Sequence, residues 1–174
     1  ADLFLRTAEI VEERSADFIS AIIGDTGFTL ADARGEVARS LVTLRLCAEE
    51  STRIPGEVVN LSSTAGQDRR LAMTMHFPLG IVCAITPFNS PLNTVMHKVG
   101  PALAAGNSVL LKPSGLAPLS AVLLFQVLLE AGWPPSLLAL INGPGREVGN
   151  WLLEEQDIDF YAFTGSTVVG QIIK

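Results

Sequence analysis

Four short apolar runs constrain the fold of this chain more than any other feature of its sequence. Each run is too short for a helix, and each is apolar on both faces, as the central strands of a parallel sheet are. The runs lie at residues 81–86, 108–111, 138–141 and 158–163. Helical patterns follow them at residues 92–105, 118–131, 146–155 and 167–174. This alternation predicts right-handed βαβ units and therefore an α/β fold with a doubly wound parallel sheet.

The first part of the chain has a helical pattern instead. One apolar stripe spans residues 4–22 and a second spans 37–48, which predicts two amphipathic helices. Residues 51–66 are rich in turn formers and predict a connector. We therefore expect a helical lead-in with its connector at residues 1–66, packing on a partial α/β domain at residues 67–174.

The composition argues against several classes of protein. A net charge of -6 and a pI near 4.8 do not suit a protein that binds nucleic-acid phosphates. No apolar run approaches the roughly 20 residues that a membrane span needs, so we expect a cytoplasmic protein without a membrane partner. Cys47 and Cys83 lack metal-ligand spacing, and we predict no metal site. An apolar fraction of 48% beside 17% charged residues favours a surface that meets another chain or domain.

The turns that follow the predicted strands hold the candidate site residues, because ligands bind outside the carboxyl ends of an open parallel sheet. Asn89 lies between two prolines in the first turn, residues 86–91. Its amide can donate to a developing oxyanion, or it can simply hydrogen-bond its own turn. Lys112 ends the second strand, where its ammonium can reach a ribose hydroxyl or a phosphate, or extend into solvent.

The third and fourth turns are rich in glycine. Residues 142–149 allow a close backbone approach to a ligand, although they do not match the GxGxxG fingerprint. Residues 163–170 place Ser166 and Thr167 at a helix start, which suits a pyrophosphate, although capping alone would also explain them.

Together, and in this order, three motifs resemble those of the aldehyde dehydrogenase superfamily. Pro87-Phe-Asn89 is similar to P-[WF]-N, Lys112-Pro-Ser-Gly115 to K-P-[SA]-x, and the segment from Phe163 to Gly170 to F-[TV]-G-S-x-x-x-G. The resemblance implies a Rossmann-like NAD(P)-binding domain, incomplete here, in an enzyme that oxidises an aldehyde through a cysteine thiohemiacetal. The family's nucleophilic cysteine and general-base glutamate would follow Lys174, so we expect the isolated chain to be inactive.

The resemblance also implies a role for each motif residue. Asn89 would be the side-chain donor of the oxyanion hole, the catalytic role in this part of the chain. The remaining residues would bind NAD or NADP: Thr86 and Phe88 beside the cofactor, Lys112 and Ser114 near the adenine ribose, Gly145 and Gly149 on the adenine side, and Phe163, Gly165, Ser166 and Gly170 in the turn that meets the phosphates.

Gly115 departs from the pattern of many relatives. Members that prefer NAD often carry glutamate at this position, which binds the ribose 2′-hydroxyl and repels a 2′-phosphate. Its absence predicts that NADP is accepted at least as well as a glutamate-bearing relative would accept it.

Other readings of the sequence stay open. The chain could be a non-catalytic cofactor-binding or oligomer-interface module. It could also be part of an acylating relative that passes the acyl group to coenzyme A, or of a reductase that acts on acyl phosphates. For the leading reading we expect a small-molecule aldehyde substrate and a homo-oligomer when the protein is full length.

Overall fold

The computed structural model describes residues 1–63, 65–67 and 69–174. Thr64, in the predicted connector, and Asp68, next to the predicted domain boundary, lie outside the described residues. The helices are α1 (Asp2–Glu13), α2 (Ser15–Thr26), α3 (Leu30–Glu50), α4 (Asn93–Ala104), α5 (Leu119–Glu130), α6 (Gly145–Glu154) and α7 (Thr167–Ile173). The strands are β1 (Val58–Val59), β2 (Ala72–Met73), β3 (Ile81–Ile85), β4 (Ser108–Lys112), β5 (Leu138–Leu140) and β6 (Phe160–Phe163).

The central sheet is parallel, as the alternation of strands and helices predicts. Its four strands lie in the order β5-β4-β3-β6, and Ile85 of β3 is in register with both Lys112 of β4 and Phe163 of β6. The chain runs outward from β3 through β4 to β5 and then returns to the other side of β3. This reversal makes the sheet doubly wound, and it places the switch point between β3 and β6, where such sheets bind ligands.

The first predicted helix is wrong in one respect. The apolar stripe at residues 4–22 belongs to two helices, α1 and α2, which are separated at Arg14. Arg14 has φ -95° and ψ 20°, outside the helical region, while its N–H still bonds to the carbonyl of Ile10. Because only one residue interrupts the helix, the stripe continues almost in phase across the break, and periodicity alone does not reveal it.

One hydrophobic core joins the N-terminal helices to the helices of the sheet. Phe4 of α1 meets Trp133 edge-on with ring centroids 4.8 Å apart. The Trp133 indole N–H donates to Thr7 Oγ1 at 3.1 Å, so the buried polar atoms of both residues are paired. The helices α1–α3 therefore pack directly against α4 and α5.

Two carboxylates tie the N-terminal helices to the sheet helices. Asp25 of α2 accepts from the N–H of Leu119, the first residue of α5, at 2.7 Å. Glu36 of α3 accepts from the N–H groups of Leu92 and Asn93 at the start of α4. Neither α4 nor α5 receives a hydrogen bond from the side chain of its own N-cap residue. Both helix starts therefore depend on acidic side chains from another element.

Candidate functional site

A cleft of about 840 Å³ opens at the carboxyl ends of the central strands. Its walls come from the turns after β3, β4, β5 and β6 and from helices α6 and α7. It includes the switch point between β3 and β6, where the N–H of Thr164 donates to the carbonyl of Ile85 at 3.1 Å. The fold thus gathers into one cavity turns that are separated by up to about eighty residues in the sequence.

Most of the predicted site residues line this cleft. They are Thr86, Lys112, Ser114, Gly115, Gly145, Gly149, Phe163, Gly165 and Ser166. Gly170 instead borders a smaller, more open depression of about 460 Å³ that shares the Phe163–Ser166 turn. Phe88 and Asn89 lie outside both cavities on the exposed turn after β3, where Phe88 is 53% exposed.

Lys112 does not extend into solvent, so that alternative is wrong. Its side chain is 4% exposed, and its Nζ donates to the carbonyls of Pro113 at 3.0 Å and Gly143 at 3.2 Å. Burial lowers the pKa of this ammonium. Lys112 therefore holds the second turn against the third and presents a positive charge at the wall of the cleft.

Thr86 places an unused hydroxyl in the same wall. The residue is 5% exposed, and its Oγ1 has no hydrogen-bond partner among the residues that the structure describes. Leaving a buried hydroxyl unpaired costs about 1–3 kcal/mol. A ligand in the cleft that offered a donor or an acceptor to Thr86 would remove this cost.

Two glycines of the third turn, Gly145 and Gly149, leave open space beside its backbone. Cβ atoms built at Gly145 and Gly149 would meet nothing within 4 Å among the described residues, so packing against these residues requires neither glycine. Gly143 differs, because its φ is 151° and a Cβ built there would lie 2.6 Å from the Val148 side chain, so both features disfavour any larger residue. The open space beside Gly145 and Gly149 faces the cleft and is available to a ligand.

The fourth turn is shaped by contacts of its own residues. A Cβ at Gly165 would clash with the Phe163 ring, which folds back over the turn. Ser166 caps α7, since its Oγ accepts from the N–H of Val169 at 3.3 Å. Capping thus accounts for Ser166 locally, and its contact with a pyrophosphate stays a prediction.

The charge of the cleft is opposite to that of the chain. Among the described residues that line it, the charged side chains are those of Lys112 and Arg146, with no aspartate or glutamate. The whole chain carries a net charge of -6. A cleft with this local charge favours an anionic ligand.

Sequence reasoning missed three polar residues near the site. Arg146 lies inside the third turn, and its position next to the glycines was the available signal. Lys98 of α4 donates from its Nζ to Thr164 Oγ1 at 2.6 Å, and burial lowers its pKa. Glu36 was detectable, because its spacing from Ala33 and Ser40 puts it on the buried face of α3.

Comparison with known proteins decides the family. A model of the aldehyde dehydrogenase family matches residues 1–174. The chain belongs to the aldehyde dehydrogenase family. The family resemblance and the Rossmann-like α/β fold predicted from the motifs are both confirmed.

Individual aldehyde dehydrogenases are similar over almost the whole chain. It is 44% identical to a 3-sulfolactaldehyde dehydrogenase of Priestia aryabhattai over 99% of this chain and 36% of the relative. It is 42% identical to aspartate-semialdehyde dehydrogenase 1 of Pseudomonas canavaninivorans, over 99% and 37%. A glyceraldehyde-3-phosphate dehydrogenase of Methanocaldococcus jannaschii, solved with NADP, superposes with a TM-score of 0.92 at 34% identity, over 99% and 37%. This aldehyde dehydrogenase chain thus spans a little over a third of the length of these relatives.

Neither cysteine of the aldehyde dehydrogenase chain suits a nucleophile. Cys47 and Cys83 are buried, and burial raises the pKa of each thiol to about 11. Since the thiolate is the reactive form, both are unreactive near neutral pH. The described residues also hold no group of three or more His, Cys, Asp or Glu side chains arranged for a metal. In the same part of the chain, no helix combines the length and apolar character that crossing a bilayer requires.

Proposed function

We propose that this chain is the NAD(P)-binding part of an aldehyde dehydrogenase that oxidises an aldehyde to a carboxylic acid. The observation that carries the proposal is the cleft at the switch point of the sheet, whose charged lining residues are Lys112 and Arg146. A dinucleotide is an elongated dianion or, with a 2′-phosphate, a more highly charged anion. Its charge and length suit a cleft of this position and sign.

The residues present fit such a cofactor. Thr86 offers a buried hydroxyl without a partner among the described residues, and Gly145 and Gly149 leave open backbone in the same cleft. We propose that Lys112 and Ser114 bind the adenine ribose and that the Gly165 and Ser166 turn binds the phosphates. Phe88 and Gly170 would complete the site from its edges.

The proposed reaction needs catalytic residues from this chain and from outside it. A nicotinamide bound here would supply the acceptor for the hydride that leaves the thiohemiacetal carbon, and hydrolysis of the resulting thioester by water would release the carboxylic acid and the thiol. A cysteine outside the 174 residues forms the thiohemiacetal, because Cys47 and Cys83 are buried thiols of high pKa. Asn89 donates its amide N–H to the oxyanion that develops on the aldehyde oxygen, which stabilises the charge without moving a proton.

Gly115 bears on the choice between the two cofactors. It is exposed at the cleft, and the described residues that line the cleft include no carboxylate to repel a 2′-phosphate. The similar Methanocaldococcus jannaschii enzyme was solved with NADP. These observations support the use of NADP, alone or beside NAD.

Three further properties belong to the proposal. Residues 1–66 act as a helical lead-in and connector on the cofactor domain at 67–174, and the protein works in the cytoplasm. The full-length protein forms a homo-oligomer, which would cover exposed apolar side chains such as Val58, Met73 and Phe77. Light scattering of the full-length protein tests this last point.

The experiment combines calorimetry and turnover. We expect the 174-residue chain to bind NADP+ or NAD+ in a titration, and to form no NAD(P)H when an aldehyde is added. The full-length protein should form NAD(P)H and a free carboxylic acid. Absence of cofactor binding would contradict the proposal, and an acyl-coenzyme A product would favour the acylating class. Aldehyde-dependent NAD(P)H from the 174 residues alone would contradict the assignment of the nucleophile to the rest of the protein.

A further inference from the structure

Glu36 is a buried carboxylate that holds the turn bearing Asn89. The residue lies on the inner face of α3 and is 0% exposed. Its Oε1 accepts from the hydroxyl of Ser90 at 3.1 Å and from the N–H groups of Leu92 at 2.9 Å and Asn93 at 3.0 Å. The single atom Oε1 thus binds residues from the turn to the start of α4.

The three donors that converge on Oε1 fix the geometry of this contact. The start of α4 presents free N–H groups and the positive end of the helix dipole, which compensate the buried charge. A carboxylate removed from water is costly unless it stays paired with its donors. The second oxygen, Oε2, has no hydrogen-bond partner among the described residues, so all described hydrogen bonds of the side chain converge on Oε1. Displacement of Glu36 would therefore release the turn and the helix start together.

The backbone of the turn connects Asn89 to the residues that Glu36 binds. Ser90 follows Asn89 directly, and prolines at 87 and 91 restrict the backbone on both sides. The Ser90 carbonyl also accepts from the N–H of Thr94 at 3.0 Å, which joins the turn to α4. The Asn89 side chain forms none of the hydrogen bonds of this turn among the described residues, so its amide is free to meet a ligand.

We infer that Glu36 is a positioning residue for the oxyanion donor Asn89, acting through Ser90 and the start of α4. The inference rests on the proposed function, because it needs an oxyanion for Asn89 to stabilise. Such a donor must sit within a few tenths of an ångström of its place, and a misplacement of about 1 Å can cost about a hundredfold in rate. A carboxylate on a packed helix supplies that constraint from outside the turn.

A merely stabilising cap is the competing explanation, and two substitutions separate it from positioning. Glu36→Gln keeps Oε1 in place and removes the charge, whereas Glu36→Asp keeps the charge and withdraws the carboxylate by one methylene. Positioning predicts that kcat falls about tenfold to a hundredfold in E36D and stays within about threefold in E36Q. A purely electrostatic cap predicts that E36Q lowers the melting temperature more than E36D does, and that kcat is unchanged in both variants.

Asp25 provides the matched control. Asp25 is also an acidic residue of the N-terminal helices that caps a helix of the sheet. Its Oδ2 lies 2.7 Å from the nitrogen of Leu119, at the start of α5. Unlike α4, helix α5 does not follow the turn that bears Asn89. Asp25→Glu moves that carboxylate by one methylene, and kcat at saturating cofactor should stay within about twofold of wild type. The dissociation constant for NADP+ should stay within about twofold in E36D as well.

The test is a set of steady-state assays on the full-length protein, with each variant also made in an Asn89→Ala background. We expect E36D to lower kcat when Asn89 is present and to leave kcat unchanged in the Asn89→Ala background, because both residues act on the same step. Losses that multiply would overturn the inference, as would equal kcat values for E36D and D25E. Should E36D fail to fold, Ser90→Ala removes one donor to Oε1 and must show the same dependence on Asn89. A wild-type protein without aldehyde oxidation would overturn the proposed function, and the inference with it.

Discussion

At the scale of single residues, the candidate site contains polar groups that form no hydrogen bond with the described residues. Thr86 is the clearest, because its buried Oγ1 has no partner among the described residues although threonine readily pairs locally. A site that is incomplete without its ligand often carries such strain in the free protein. The same reasoning separates a ligand-binding hydroxyl from an ordinary packed threonine.

Thr86→Val tests this directly. Valine has nearly the same shape and removes the unpaired hydroxyl, so we expect the free energy of unfolding of the cofactor-free chain to rise by about 1 kcal/mol. Affinity for the cofactor should fall about threefold to tenfold, because the ligand loses a hydrogen bond. Urea denaturation and calorimetric titration measure the two effects. A variant that is less stable and binds equally well would show that Thr86 only packs.

Gly115 carries a second prediction at this scale. A side chain fits there, because a Cβ would meet only the Gly143 carbonyl at 3.6 Å, an ordinary contact. Gly115→Glu places a carboxylate where a 2′-phosphate would bind, and at an effective dielectric constant near 20 the repulsion reaches a few kcal/mol at 4 Å. We expect the ratio of NADP+ to NAD+ affinity to fall at least about tenfold.

The control for this change is Gly115→Gln, which has the same length without the charge. It should alter both affinities alike and leave their ratio within about twofold. Equal ratios for the Glu and Gln variants would place the 2′-phosphate away from residue 115.

At the scale of secondary-structure elements, helix α6 forms part of the wall of the cleft. Gly149 lies in the second turn of this helix, where alanine would ordinarily be preferred and where a Cβ meets nothing within 4 Å. A glycine inside a helix costs roughly 0.5–1 kcal/mol relative to alanine. Its use here is explained if a ligand occupies the space above it.

Gly149→Ala should therefore raise the free energy of unfolding by about 0.5–1 kcal/mol and lower cofactor affinity at least about threefold. Gly24→Ala in α2 is the matched control, since Gly24 is also helical and also has nothing within 4 Å of a built Cβ. The control should gain similar stability with unchanged affinity. Thermal melts and titrations of both variants decide the matter, and unchanged binding in G149A would remove Gly149 from the site.

At the scale of the whole molecule, the buried thiols predict how stability depends on pH. Burial raises the pKa of Cys47 and Cys83 from 9.0 to about 11, so the unfolded chain loses these protons first as pH rises. Their contribution to stability is complete below pH 9 and is lost as pH approaches about 11. Lys98 and Lys112 oppose this trend, because their lowered pKa values make the unfolded chain retain protons longer.

A Cys47→Ala, Cys83→Ala double variant isolates the contribution of the thiols. Its free energy of unfolding should fall less between about pH 8 and pH 10.5 than that of the wild type. Urea denaturation at several pH values measures the slope for both proteins. The comparison uses slopes, so the loss of packing in the variant cancels. Equal slopes would show that the two thiols ionise alike in the folded and unfolded chains.

The sequence predicted most of the sheet and much of the cleft for a common reason. Short apolar runs such as residues 81–86 and glycine-rich turns such as 142–149 are local signals, and each is a consequence of burial or backbone geometry. The break at Arg14 was not predicted, because it leaves the apolar period intact. Lys112 was placed at the correct strand end, but its hydrogen bond to Gly143 depends on a turn that lies 31 residues away.

The amino-acid sequence alone indicated the family, the order of strands and helices in the sheet, and the turns that hold the candidate site residues. The order of elements and the turns follow from periodicity and turn chemistry within about ten neighbouring residues, whereas the family follows from the resemblance of the three motifs. The folded structure was needed to show that Lys112 and Arg146 share a cleft and that Glu36 holds the turn of Asn89. It also showed that Thr86, in the wall of this cleft, has no hydrogen-bond partner among the described residues. These are contacts between elements distant in the chain, and a buried charge or hydroxyl acquires its partners only when the core closes around it.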